Sequence, residues 1–202
     1  MPAPTTAKRR EAKVFMYEGV DTVVLHNELA YYEVLPVEWE PQAQPLEQFE
    51  LNGIDEANIL LLQACVAVEE HPVRDKNEEL TPLASELARL DFKLNLVLQL
   101  LGTLVMKNQV AAATPVRFNA LGASWEARGT PLPVTGARGV LKIRLRSSLP
   151  QTLNFPAEIT AIDGNEISAR YLHLSESTAE LIQRLCFLRH RKQVADKRKS
   201  RV

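Results

Sequence analysis

The side chains that could carry chemistry are scattered along this 202-residue chain. No serine stands in a nucleophile-elbow motif, and no glycine-rich loop has the spacing of a phosphate or dinucleotide site. The histidines have no cysteine or carboxylate beside them at the spacing of metal ligands. They are His26, His71, His173 and His190. We therefore expect no enzymatic activity, no metal site and no cofactor.

The two cysteines, Cys65 and Cys186, lie far apart in apolar helical stretches. This placement predicts two buried, reduced thiols, which is typical of a cytoplasmic protein. No apolar run reaches about 18 residues without a charge, so no membrane-spanning helix is expected. The first residues lack the apolar core of a secretory signal. We therefore expect a cytoplasmic location.

Charge is divided unevenly between the two halves of the chain. Residues 1–106 hold 8 Lys and Arg and 18 Asp and Glu, which gives a net charge of −10. Residues 107–202 hold 16 Lys and Arg and 7 Asp and Glu, which gives +9. The sum is the net charge of the chain, −1. This division predicts two surfaces of opposite sign and head-to-tail attraction between copies. A chain so close to neutral is not typical of a nucleic-acid binder, although its basic end leaves that alternative open.

A leucine-rich stretch over 46–109 has the spacing of helices. Asp55, shortly after Gly53, is the expected helix start. The carboxylate pair Glu69–Glu70 is expected on a solvated face. His71–Pro72 is expected to divide the stretch into two helices, because the residue before a proline avoids the helical region. The second helix carries a heptad pattern of apolar residues, with steps of 3 and 4 in alternation: Leu80, Leu83, Leu87, Leu90, Leu94, Val97, Leu101 and Leu104.

The heptad pattern predicts self-association. Near its end the flanking positions Leu98 and Leu100 are also apolar, and three or four helices bury so wide a stripe better than two do. Burying one leucine stabilises an assembly by roughly 1.5–3 kcal/mol, so the pattern favours an obligate oligomer of three or four chains. The alternative is a long amphipathic helix that packs on its own domain.

Alternation of apolar and polar residues outside this stretch predicts short antiparallel strands that close a small barrel. The first strand is expected over 34–40, and the others within 114–174. Asp163–Gly164 is the expected hairpin turn, and Ser175 or Ser177 is the expected cap of a final helix. The expected fold class is α+β: a small antiparallel barrel with a C-terminal helix and an inserted heptad-repeat helical region.

The barrel sequence resembles the PilZ family of bacterial receptors and adaptors for cyclic di-GMP. The resemblance covers residues 30–40 and 110–192 and depends on the order of its segments. These are Leu35-Pro36-Val37, then Arg117-Phe118-Asn119-Ala120-Leu121-Gly122 on a following strand, then Thr135-Gly136, Ala157-Glu158-Ile159 and the helix end Arg189-His190-Arg191-Lys192.

Both ligand motifs of that family are altered in this chain. The family holds its ligand with an Arg-x-x-x-Arg segment before the first strand and an Asp/Asn-x-Ser-x-x-Gly motif on the next, since guanidinium groups fork onto phosphate and stack on guanine. Here residues 26–34 contain no arginine, and the second motif reads Arg117-x-Asn119-x-x-Gly122. The resemblance therefore leaves Arg117, Asn119 and Gly122 as the candidate nucleotide-site residues and implies that cyclic di-GMP is not bound in the family's usual way.

The helical stretch departs from an ordinary PilZ domain and resembles an atypical branch of the family from plant-pathogenic gram-negative bacteria, in which a heptad-repeat helix assembles four chains. The expected organisation is an N-terminal arm over 1–29, a barrel with its helix over 30–45 and 110–192, a helical insertion over 46–109 and a basic tail over 193–202.

This resemblance implies a non-catalytic homotetrameric adaptor that acts through protein partners in type IV pilus function, motility or virulence. One alternative is a cyclic di-GMP receptor that uses non-standard residues. The other is a coiled-coil nucleic-acid binder that uses the basic tail.

Overall fold

The structure, a computed structural model, describes residues 15–17, 20–22, 24–70, 86–87, 89–90, 93–94, 97, 112–127, 132–146 and 151–199. Its two long helices are α1 (Gln48–Glu70) and α2 (Glu176–Lys199). The strands in this part of the chain are β1 (Phe15–Tyr17), β2 (Val20–Thr22), β3 (Val24–Leu25), β4 (Glu28–Leu29), β5 (Tyr31–Pro41), β6 (Ala113–Phe118), β7 (Gly122–Glu126), β8 (Arg138–Ile143), β9 (Leu153–Asp163) and β10 (Glu166–Tyr171).

Six of these strands close into an antiparallel barrel in the order β10, β7, β6, β5, β8, β9. β5 changes partner along its length, pairing with β6 up to Pro36 and with β8 from Val37. Pro36 has no N–H to donate, and it lies where the partner changes; its carbonyl oxygen accepts the N–H of Arg144 at 3.1 Å. The predicted barrel and the α+β fold class are confirmed.

Both helices complete the core of the barrel. Asn58 fixes α1 to β9, because its Nδ2 donates to the carbonyl of Asn154 at 2.7 Å while its Oδ1 accepts the N–H of Asn154 at 2.9 Å. α1 therefore packs as part of the barrel, although our prediction grouped it with the heptad segment. The helical side chains buried in the core are Leu61, Leu62, Cys65, Val66, Ile182, Leu185 and Cys186.

α1 is, within the described residues, the one helix long and apolar enough to cross a membrane by length and composition. The most apolar part of α1 still holds Asp55 and Glu56, so it is not an apolar run without a charge, and our expectation of no membrane-spanning helix stays a prediction. The buried face of α1, with Leu61, Leu62 and Val66, packs against the barrel and α2. That packing accounts for the apolar residues on this face, because the core helix of a globular domain needs the same composition.

α1 begins earlier than predicted, at Gln48 instead of Asp55. The Glu50 carboxylate accepts the N–H of Glu47 at 2.8 Å, and this satisfies a backbone donor ahead of the first turn. Asp55 lies inside the helix and has a different role: its Oδ1 accepts a hydrogen bond from the Thr178 hydroxyl at 2.7 Å, at the start of α2.

Residues 117–122 form a hairpin and not the single strand that we predicted. β6 ends at Phe118 and β7 begins at Gly122. Between them Asn119 Oδ1 accepts the N–H of Leu121 at 2.9 Å and that of Gly122 at 3.3 Å. An asparagine that bonds the backbone two residues ahead favours a turn, so the chain reverses at this point.

The predictions for the last hairpin and the last helix are confirmed. The turn between β9 and β10 contains Gly164 with φ of 60°, a conformation that costs glycine little. Ser175 Oγ accepts the N–H of Thr178 at 3.1 Å and so caps α2. The helix runs to Lys199, so residues 193–199 extend it and do not form a separate tail.

Candidate functional site

Asn119, one of the three predicted motif residues, has a structural role. Its side chain is buried. Besides holding the hairpin turn through Oδ1, it donates from Nδ2 to the carbonyl of Leu25 at 2.7 Å. Both ends of the amide are therefore engaged within the chain, and the residue ties β3 to the barrel.

Gly122 is also required by the packing of the sheet. A Cβ placed there would lie 2.2 Å from the carbonyl oxygen of Ala169 on β10, closer than any side chain can approach. The glycine thus allows the close approach of β7 and β10. This requirement exists without any ligand.

Arg117 projects from β6 on the outer face of the barrel, where it is paired to Glu166 of β10. Ser124 of β7 donates from Oγ to the same carboxylate oxygen, Glu166 Oε1, at 2.9 Å. The Arg117 side chain is only 21% exposed. The structure therefore brings the three motif residues together, but each has partners within the chain.

A guanidinium group does approach the start of the first barrel strand, and it comes from α2. Arg189 lies with its Cζ 5.6 Å from the centre of the Tyr31 ring and pairs with Glu33 at 3.2 Å. The Tyr31 hydroxyl donates to Glu33 Oε2 at 2.5 Å. Burial, and then the Glu33 carboxylate, raise the pKa of Tyr31 well above its usual value. Sequence reasoning missed this contact because 26–34 itself holds no arginine.

Glu69 is the centre of a second charged cluster. Its side chain is only 7% exposed, and its carboxylate meets Arg146 at 2.8 Å, Lys192 at 3.4 Å and Arg189 at 3.9 Å. Our prediction of a solvated face for Glu69 is therefore wrong. A buried carboxylate needs such partners, and here they come from the end of β8 and from α2.

The heptad segment forms an exposed apolar stripe. The described positions of this segment are helical: Glu86, Leu87, Arg89, Leu90, Lys93, Leu94 and Val97. The exposed fractions of these heptad side chains run from 50% for Val97 to 60% for Leu94. The other predicted heptad residues (Leu80, Leu83, Leu101, Leu104) and the break at His71–Pro72 lie outside the described residues. The apolar stripe, hereafter the leucine stripe, consists of Leu87, Leu90, Leu94 and Val97.

Comparison with known proteins adds a family and a structural neighbour. The family profile described as "atypical PilZ domain, cyclic di-GMP receptor" matches residues 62–199. A solved structure from Xanthomonas campestris is similar, with 26% sequence identity and a TM-score of 0.60 over 85% of this chain and 93% of that chain. It is described as a pathogenic protein with a new tetrameric PilZ domain self-assembled via an unusual helical bundle. No curated protein matches the chain.

Proposed function

The chain belongs to the atypical PilZ domain family, and from that premise we propose that it is a non-catalytic oligomeric adaptor. PilZ domains are receptor and adaptor domains without catalytic activity. In the proposed assembly the heptad helices join four chains, and the barrels present their surfaces to protein partners.

The observation that carries this proposal is the leucine stripe. Four large apolar side chains at heptad spacing are at least half exposed in the single chain, and a contiguous apolar patch of this kind marks an interaction site. A helix with apolar residues at heptad spacing packs against other helices that have the same spacing. The Xanthomonas campestris protein self-assembles as a tetramer through a helical bundle, which supports the same use of the stripe here.

The proposal includes the absence of cyclic di-GMP binding through Arg117, Asn119 and Gly122. Asn119 has both ends of its amide hydrogen-bonded within the chain, and Gly122 is required by the approach of β10. Arg117 is held by Glu166. The proposal places the adaptor in the cytoplasm and gives it a role in type IV pilus function, motility or virulence, and the similar solved structure is that of a pathogenic protein.

Calorimetric titration of the full-length chain with cyclic di-GMP tests the adaptor against the receptor. We expect no binding heat at ligand concentrations up to the high micromolar range. A dissociation constant in the micromolar range or tighter, with one defined stoichiometry, would show that the chain is a receptor.

The second candidate function is a cyclic di-GMP receptor with non-standard residues, and the description of the family profile favours it. Arg117 is then the residue expected to contact the ligand, since a guanidinium binds phosphate in a forked geometry. If binding is found, Arg117→Ala should abolish it, whereas Arg138→Ala, on the outer face of β8, should not.

A further inference from the structure

The pair Arg117–Glu166 spans the middle strand of three. β6 and β10 both pair with β7, and Arg117 and Ser168 are the register partners of Ser124 on its two sides. The ion pair therefore crosses the outer face of β7 near Ser124. Ser124 is only 2% exposed, and its hydroxyl donates to the same carboxylate.

The groups that donate hydrogen bonds to Glu166 are of the kinds that bind phosphate in proteins. A guanidinium and a hydroxyl converge on one oxygen, Oε1, of an anionic group, and charge-assisted bonds of this kind are the strong ones in phosphate recognition. Arg170 adds a second guanidinium on the same face: it is exposed on β10, opposite Gly122 in register. The Glu166 carboxylate occupies the position that a phosphate oxygen would take.

A phosphate at Arg117 would also meet negative charge. Glu166 and Glu126 are register partners on β10 and β7, so an anion bound there would lie close to Glu166 with Glu126 on the neighbouring strand. Like charges at such short range disfavour one another strongly where solvent is partly excluded. The loss of phosphate binding would then be due less to the missing motif residues than to an added carboxylate.

We infer that Glu166 is the residue that keeps phosphate ligands, cyclic di-GMP among them, off the outer face of β6, β7 and β10. It does so by filling the anion position between Arg117 and Ser124 with its own carboxylate. This inference rests on the proposed function, because it explains why the unaltered chain does not bind the dinucleotide.

The test is Glu166→Gln, titrated with cyclic di-GMP and, separately, with GMP. The variant keeps the size of the side chain and removes its charge, so it should bind cyclic di-GMP with a dissociation constant at least tenfold below the highest concentration at which the unaltered chain shows no binding. Glu158→Gln is the matched control, since Glu158 is a barrel carboxylate in a cross-strand pair with Arg138, and it should change nothing. The gain should disappear in the double variant Arg117→Ala/Glu166→Gln.

The outcomes separate the inference from the proposed function. Micromolar binding by the unaltered chain would overturn both. No binding by the unaltered chain, together with no gain in Glu166→Gln, would overturn the inference alone. A gain that survives Arg117→Ala would also overturn it, because the ligand would then lie elsewhere. Near-ultraviolet circular dichroism of each variant shows that it is folded, which the exposed position of Glu166 predicts.

Discussion

Glu69 shows most clearly how a single residue connects the parts of this protein. It lies in the last turn of α1, and its cationic partners come from the segment that follows β8 and from α2. Arg189 extends the cluster to Glu33 and Tyr31 on β5. One buried carboxylate therefore joins the two helices to the barrel wall.

Replacement of Glu69 by glutamine should destabilise the fold by about 2 kcal/mol, because it removes the carboxylate that pairs with Arg146 and Lys192. This loss of stability is smaller than that expected for a fully buried ion pair, because Arg146 and Lys192 are partly exposed. Urea unfolding followed by circular dichroism measures the change. Glu70→Gln is the control, because the Glu70–Arg184 pair is exposed, and it should cost less than about 0.5 kcal/mol. Equal losses of stability in the two variants would contradict the buried, multiply paired position of Glu69.

The two thiols should be inert in the folded protein. Both are buried and free, as predicted. Burial raises the pKa of Cys186 to about 12 and also raises that of Cys65. A raised pKa means less thiolate at pH 8 than in the unfolded chain, and the thiolate is the reactive form. Ellman's reagent should therefore detect no thiol until denaturant is added and two afterwards. Rapid reaction of one thiol under native conditions would contradict the described packing.

The charged clusters at this scale could not be predicted from the sequence. Glu69 and Arg146 are 77 residues apart, and Glu69 and Lys192 are 123 apart. No local pattern relates side chains at such separations, because only the packing of α1 against the barrel and α2 brings them together. The candidate residues Arg117, Asn119 and Gly122 could be selected from their spacing, but the partners Glu166 and Leu25 could not.

At the scale of elements, the strands were the most predictable part. Alternation of apolar and polar residues indicated the barrel strands, and Asp163–Gly164 marked a turn with a known backbone requirement. The errors fell where a side chain bonds the backbone, at the Glu50 cap of α1 and at the Asn119 turn. Such bonds end or begin an element without changing the periodicity around it, so a reading based on periodicity misses them.

The heptad element yields a prediction about assembly. Leu94→Glu should dissociate the proposed oligomer, because a charge in the buried seam has neither water nor a partner and costs several kcal/mol over all copies. Multi-angle light scattering coupled to size-exclusion chromatography measures the mass. Val134→Glu is the matched control: Val134 is also an exposed apolar residue, outside the heptad segment, and the mass should not change. An unaltered mass for Leu94→Glu would show that the seam is not used.

Deletion is a poorer test of the same element. Residues 46–109 have the composition of one insertion, but α1 supplies Leu61, Leu62 and Val66 to the core of the barrel. A deletion of the whole stretch would therefore unfold the barrel as well as remove the seam. A point substitution on the exposed stripe separates assembly from folding.

At the scale of the whole molecule, the uneven charge of the two halves is satisfied within the chain. The sequence predicted attraction between copies from a net −10 before residue 107 and a net +9 after it. Within one chain, the structure joins acidic residues of the first half to basic residues of the second. These pairs are Glu33–Arg189, Glu40–Lys142, Glu69–Arg146, Glu69–Arg189, Glu69–Lys192 and Glu70–Arg184. The charge division therefore supports folding, and the attraction between copies stays a prediction.

These internal pairs also weaken the nucleic-acid alternative. Arg184, Arg189 and Lys192 of the basic helix are each paired with a carboxylate of the first half. A cation that is already neutralised releases no counterion from a phosphate backbone. Part of the positive charge of α2 thus stabilises the fold through these ion pairs.

The mass of the unaltered full-length chain in solution tests the central claim most directly. Sedimentation equilibrium at micromolar concentration should give four times the 22.6 kDa of one chain, because the leucine stripe is exposed in the monomer and covered in the assembly. A single species at 22.6 kDa under those conditions would contradict the adaptor account, since four exposed heptad side chains would then have no partner.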